Sequence, residues 1–204
     1  MAKRGRLFVL LAATLVAAWL VLWQVGYIAL WTVGMASIVN NTQDFTDENS
    51  HIVAGEYSVL IDLSDLKSNI GKELLNDGSH QIIVGSVDNT GSRSTGGYRI
   101  GFRSKGAYSL SGASLISGAQ HDHSDNGFTT TMSAKMIAEY NGNSYECSVM
   151  GYGGINFKDG DDFYFYIFPS EAYDSKKVTT EETGVVQLTV SNLYENRWTR
   201  QSSS

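Results

Sequence analysis

The chain has 204 residues, 42% of them hydrophobic, with 21 acidic against 15 basic side chains (formal net charge −6) and one cysteine. This is room for one domain plus a targeting or anchoring segment. The acidic balance speaks against a nucleic-acid partner, which needs clustered Lys and Arg on phosphates, and a single cysteine excludes an intrachain disulfide framework.

In chain order, residues 7–39 carry no charged side chain, and Gln24 is the one strongly polar interruption. As a continuous helix this run would extend about 50 Å, against a hydrocarbon core of about 30 Å, so residues 1–39 are expected to be a transmembrane anchor or signal segment. Its length, about twice that of a cleavable signal's apolar region, favours retention. Lys3, Arg4 and Arg6 precede it, while Asp44, Asp47, Glu48 and Glu56 follow. That bias puts the N-terminus in the cytoplasm and the remainder outside, membrane-anchored or secreted. Trp19, Trp23, Tyr27 and Trp31 recur every fourth residue. They predict an aromatic ridge, either lying at the membrane interface or packing on another membrane helix.

Residues 40–56 are expected to be a linker or a donor strand, and 57–204 an extracytoplasmic β domain. Tyr98, Ile100 and Phe102 alternate with Arg99 and Arg103; Met132, Ala134, Met136, Ala138 and Tyr140 alternate with Ser133, Lys135 and Glu139. Tyr145, Cys147 and Val149 continue the pattern, as do Val186, Leu188 and Val190. Period-two alternation predicts half-buried antiparallel strands, and Asn141-Gly142 between two of them predicts a hairpin. "FYFYIF" (163–168) is apolar on both faces and suits a central strand ahead of Pro169. The runs 57–63, 81–87, 98–103, 107–116, 129–140, 145–150, 163–168 and 185–194 give about eight strands. They predict an all-β fold, an antiparallel two-sheet sandwich of jelly-roll or immunoglobulin-like type, preceded by one hydrophobic helix. One helix interrupts the pattern: Ser64 is expected to cap "DLKSNIGKELL", with Leu63, Leu66, Ile70 and Leu74 on one stripe.

"HDHSDNG" (121–127) is the densest cluster of ligand-type residues. His121 and His123 have the spacing of a zinc-hydrolase motif but lack the histidine that would follow. Asp122, Ser124 and Asn126 resemble the first half of a calcium loop, without the bidentate Glu that would close it. A polar turn between strands accounts for the same residues, so a Ca²⁺ site is the minor reading and no cofactor is expected. "KDGDD" (158–162) reads the same way. There is no nucleophile elbow and no histidine in a triad context, so the expectation is a non-enzymatic protein, with a metal-dependent hydrolase as the minority alternative.

The stretch "DFTDENSHIVAGEYSVLIDL" (44–63) contains Phe45-Thr46-Asp47 and Ala54-Gly55-Glu56-Tyr57. Together with "IDLSDLKSNI" and "IIVGSVDNTGSRSTGGYRIGF", it resembles the mature start of the TasA/camelysin family of secreted fibre-forming surface proteins, over about residues 44–103. The chain departs from that pattern where Ser68-Asn69 replaces a Pro-Gly, and in lacking an Ala-x-Ala before Phe45. The resemblance implies a jelly roll and a structural subunit of cell-surface or biofilm-matrix filaments, self-associating by β-strand addition. Phe45, Ile52, Val53 and Tyr57 would be the apolar plugs of the donated strand. The alternative is a single-pass membrane protein whose helix docks in a membrane complex and whose β domain binds an outside partner.

Overall fold

From Phe45 onward alternating side chains make most of the chain strand, and glycine and asparagine turns reverse the strands. The computed structural model describes residues 2–124 and 127–201, and the chain is mostly β, with several antiparallel sheets and one main helix. It begins with α1 (Ala2–Gln24), α2 (Tyr27–Thr32) and α3 (Ala36–Val39). Then come β1 (Phe45–Asp47), β2 (His51–Ile52), β3 (Glu56–Asp62), β4 (Glu73–Asn76), β5 (Gln81–Asn89), β6 (Tyr98–Lys105), β7 (Ala107–Ser109) and β8 (Gly112–Ser117). The second half holds β9 (Ala119–Ser124), β10 (Gly127–Met132), β11 (Lys135–Tyr140), β12 (Asn143–Glu146), β13 (Ser148–Tyr152) and β14 (Asp162–Tyr166). It ends with α4 (Ser170–Asp174), β15 (Val185–Ser191) and β16 (Tyr194–Arg200).

One five-stranded sheet runs β13-β14-β6-β5-β4, and a four-stranded sheet runs β12-β11-β15-β3. A second five-stranded sheet runs β1-β16-β8-β7, with β2 also pairing β16, and β9 and β10 form a hairpin of their own. The main core takes Val59, Ile61, Met136, Ala138, Val186 and Leu188 from the four-stranded sheet. Against these it sets Ile82, Val84, Ile100, Phe102, Phe163 and Phe165 from the first five-stranded sheet. Met136, Ala138, Val186, Leu188, Ile100 and Phe102 among these are residues that alternation assigns inward, because a pleated strand sends successive side chains to opposite faces. The Asn141-Gly142 hairpin also forms: Tyr140 pairs Asn143, and the two turn residues have φ of 49° and 71°, as a two-residue turn with positive φ at both centres requires.

Four expectations are corrected. The apolar run 7–39 is not one helix. It breaks after Gln24 at Gly26 (φ 82°) and again at Gly34 (φ 78°), and among the described residues no helix is long and apolar enough to cross a membrane. "DLKSNIGKELL" makes a single 3₁₀ turn, Leu66–Asn69, capped by Asp65 rather than Ser64. Gly71 at φ 85° ends it, and Leu74 enters the core from strand β4. The described residues form sixteen strands rather than about eight, because the stretches 107–116, 129–140 and 145–150 each fold into two and because β1, β2, β4, β9 and β16 form outside the expected runs, apart from Tyr194 at the start of β16. Val149 is 45% exposed rather than inward. Cys147 donates its amide to Met136 O at 2.9 Å, the next pair in the β11–β12 register, and the chain then passes to the edge of the first five-stranded sheet as β13, where a bulge between Val149 and Gly151 shifts the register. "FYFYIF" is an interior strand, but Tyr164 and Tyr166 are only half-buried on its outer face.

Candidate functional site

The N-terminal segment docks on the β domain along a seam built by glycines, one backbone contact and a second small core. Gly34 turns the chain so that the amide of Met35 donates to Lys158 O at 2.8 Å. Met35, Ile38 and Val39 are then at most 1% exposed, packed with Phe45, Ala113, Leu115 and Trp198. Lys158 also holds its ammonium 5.9 Å from the ring centre of Trp31, a cation–π approach. Below the seam, His123 donates its backbone amide to Asp47 Oδ2 at 2.8 Å, and its Nε2 lies 3.0 Å from Val39 O.

The stretch 44–53 is part of this same domain. Phe45 pairs Arg200, Asp47 pairs Trp198, and Ile52 pairs Tyr194, so β1 and β2 lie in line along β16. Phe45 is buried under the Arg200 guanidinium, 5.3 Å from its ring centre. Val53 and Tyr57 pack against the main core, whereas Ile52 is exposed. The structure therefore seats three of the four expected plugs in their own chain.

The aromatic ridge does not form as one row. Trp19 and Trp23 stack on α1 with ring centres 6.3 Å apart, but the break at Gly26 puts Tyr27 and Trp31 on α2. All four are at least half exposed (50–71%), as are Leu10, Leu11, Leu15, Val16 and Val21 around α1. From Leu10 on, the helix has exposed apolar side chains that nothing among the described residues covers.

Residues 121–124 of the expected ligand cluster lie in strand β9, and Gly127 begins β10. Asp122 accepts from Gln120 Nε2 with both oxygens, at 2.8 and 2.9 Å, and Ser124 is exposed at the end of β9. Asp125 and Asn126 lie outside the described residues. His121 faces inward with its Nε2 2.8 Å from Asp161 Oδ2 and its Nδ1 3.0 Å from Thr130 Oγ1. Ser117 donates to the same Asp161 oxygen at 2.6 Å, and Asn196 Oδ1 accepts the His121 amide at 2.7 Å. The ring nitrogens of His121 and His123 are thus engaged by different partners, and among the described residues no group of three or more His, Cys, Asp and Glu could hold a metal ion. His121 and Asp161 side chains are wholly buried. Ser117 sits on Asp161 rather than on the imidazole, so the order needed for nucleophile activation is absent. What the arrangement does is join β8, β9, β10, β16 and the loop before β14 through one buried polar cluster centred on Asp161 Oδ2, while Asp161 Oδ1 has no hydrogen-bond partner among the described residues.

The acids of 158–162 diverge in the same manner. Asp159 pairs with Arg103, Asp161 goes to the buried cluster, and Asp162 accepts from the Tyr164 hydroxyl at 2.6 Å. Burial and that bond to a carboxylate push the Tyr164 hydroxyl up to about 12. Burial also raises Tyr194, with Asp122 and Asp47 adding to the effect. The docking seam and the Asp161 cluster escaped sequence reasoning, because their partners lie far apart in the chain and no local pattern marks them. No protein-family model, curated protein or solved structure matches this chain.

Proposed function

We propose that the protein is a non-enzymatic, extracytoplasmic β-sandwich carried on a retained N-terminal apolar helix, and that it holds a partner-binding domain in a fixed pose at a membrane surface. The observation that carries this is the burial of Met35, Ile38 and Val39 in a core shared with Leu115 and Trp198. Cleavage near Asp44 would remove those three side chains and open that core, so the segment serves the fold as well as any anchor. The apolar surface of α1 requires a nonpolar surround, which the bilayer or neighbouring membrane helices would supply. The shared core between the four-stranded sheet and the first five-stranded sheet supports the sandwich. The test is the intact mass of the protein from its native membrane fraction. Full length is expected; a species beginning near Asp44 would overturn the reading.

A second reading, a filament subunit growing by strand addition, is favoured by one observation. Strands β1 and β2 reach β16 through only five residue pairs, a short ladder that another copy's segment could replace. Deleting residues 44–53 would then abolish polymers, and failure to find polymers of the intact chain would dispose of it.

A further inference from the structure

The outer face of the sheet β13-β14-β6-β5-β4 carries a groove of about 620 Å³ that neither reading of the N-terminal segment uses. Two glycines open its floor. Gly85 is the extra residue of a bulge between Val84 and Ser86, and it is exposed. Gly101 lies directly beneath the Tyr164 ring, where a Cβ would collide with the ring carbons. The tyrosine therefore lies flat on the sheet. Bulges beside a concavity re-aim neighbouring side chains, and glycine admits a close approach.

The walls are aromatic and pre-set. Phe157 is 39% exposed, yet its back is fixed by the Arg103 guanidinium, 3.3 Å from the ring centre, which Asp159 pairs in turn. The Tyr164 hydroxyl is fixed by Asp162. Ile70 and Ile83 add aliphatic surface, and Ser86 and Lys105 complete the polar rim. The four charged side chains, Arg103, Lys105, Asp159 and Asp162, cancel in sign. The groove thus offers two immobilised rings with a rim of donors and acceptors and no net charge. A free acid or base would meet a like charge there. An amphipathic, uncharged ligand with apolar C–H faces and many hydroxyls meets both the rings and the rim.

We propose that this groove binds a neutral oligosaccharide of pyranose units, with sugar faces against Phe157 and Tyr164 and hydroxyls on Ser86, Asp159, Asp162 and Lys105. Aromatic faces with a few placed polar groups are the usual make-up of small-ligand sites. None of the lining residues belongs to the N-terminal segment, although Phe157 adjoins Lys158, on which that segment docks.

The test is calorimetric titration of the full chain in a sugar-free zwitterionic detergent. The probes are cellohexaose, maltohexaose, laminarihexaose and chitohexaose, with a hyaluronan hexamer as the charged comparison. At least one neutral hexaose is expected to saturate. Gly85→Trp has room for its Cβ, whose nearest neighbour would be the Arg103 Cβ at 3.4 Å. It should fill the groove and weaken binding at least ~10-fold, as should Phe157→Ala, which removes one platform. Unchanged affinity in both variants, no saturation by any neutral hexaose, or stronger binding of hyaluronan would each overturn the proposal.

Discussion

Met35 donates its amide to the carbonyl oxygen of Lys158 at 2.8 Å, and Gly34 just before it holds φ 78° with no room for a side chain against that same carbonyl. Gly34→Ala combines a left-handed backbone with a steric collision, so it should destabilise the chain by about 1–3 kcal/mol or more. Gly71→Ala, also at positive φ but in open space, carries only the backbone cost of about 1 kcal/mol. Comparing the two by urea denaturation isolates the seam contact; equal losses would mean that Gly34 does not meet Lys158.

The buried and exposed apolar residues of the N-terminal segment should separate cleanly. Ile38→Ala empties a fully buried site and should cost about 2–5 kcal/mol. Trp23→Leu and Tyr27→Leu, both exposed, should stay within about 0.5 kcal/mol. The two exposed changes should instead weaken recovery of the protein with its membrane partners, measured by co-purification from detergent extracts.

Burial, with Glu146 nearby, pushes the Cys147 thiol up to about 12, and its Sγ lies 3.1 Å from Ile167 O. The thiolate is the reactive form, so maleimide at pH 8 should leave the folded chain unlabelled and react once it is denatured. Labelling of the folded protein within minutes would contradict the burial of this residue.

Asp77, in the turn between β4 and β5, is lowered from 3.8 to about 2. The slight burial there opposes the shift, but hydrogen bonds from the His80 ring and from the His80 and Ser79 amides outweigh it. A depressed folded pKa contributes stability above the unfolded value and loses it as pH falls through the folded one. Relative to Asp77→Asn, the parent chain should therefore lose stability between pH 4 and pH 2 and show no further relative loss below. Denaturation midpoints of both chains across that window check the sign.

Asp161→Ala would leave the His121 imidazole and the Ser117 hydroxyl buried without their shared acceptor. A loss of about 3–5 kcal/mol is expected, because removing one partner of a buried pair strands the other. Asp122→Ala, on strand β9, removes a carboxylate whose hydrogen bonds among the described residues go to Gln120, and should be close to neutral. A reversed order in thermal melts would show that the half-buried Asp122, not the buried Asp161, matters.

The β character was legible because strands β6, β11 and β15 each set apolar residues against polar ones at period two. The glycine breaks within residues 7–39 were not, since an apolar run looks the same whether lipid or protein covers it. The fate of Met35–Val39 depends on Lys158, a distant residue. Strands β9 and β16 were missed for a different reason. Their inward positions hold His121 and Asn196, whose polarity is satisfied by Asp161 and by backbone carbonyls of β8 and β9. The alternation that should have marked those strands is masked by hydrogen bonding. The seam and the buried cluster share this property: each joins residues that only the completed topology brings together.

Strand β16 lies between β8 on one side and β1 with β2 on the other, and among the described residues it follows every other strand in chain order. A ribosome therefore releases the first strands long before the one that receives them exists. Until Tyr194 to Arg200 emerges, Phe45 has no ladder and the seam has no Trp198. Any message cut short of that point would yield a chain whose N-terminal segment never closes onto its domain, leaving cellular proteases an open end to find.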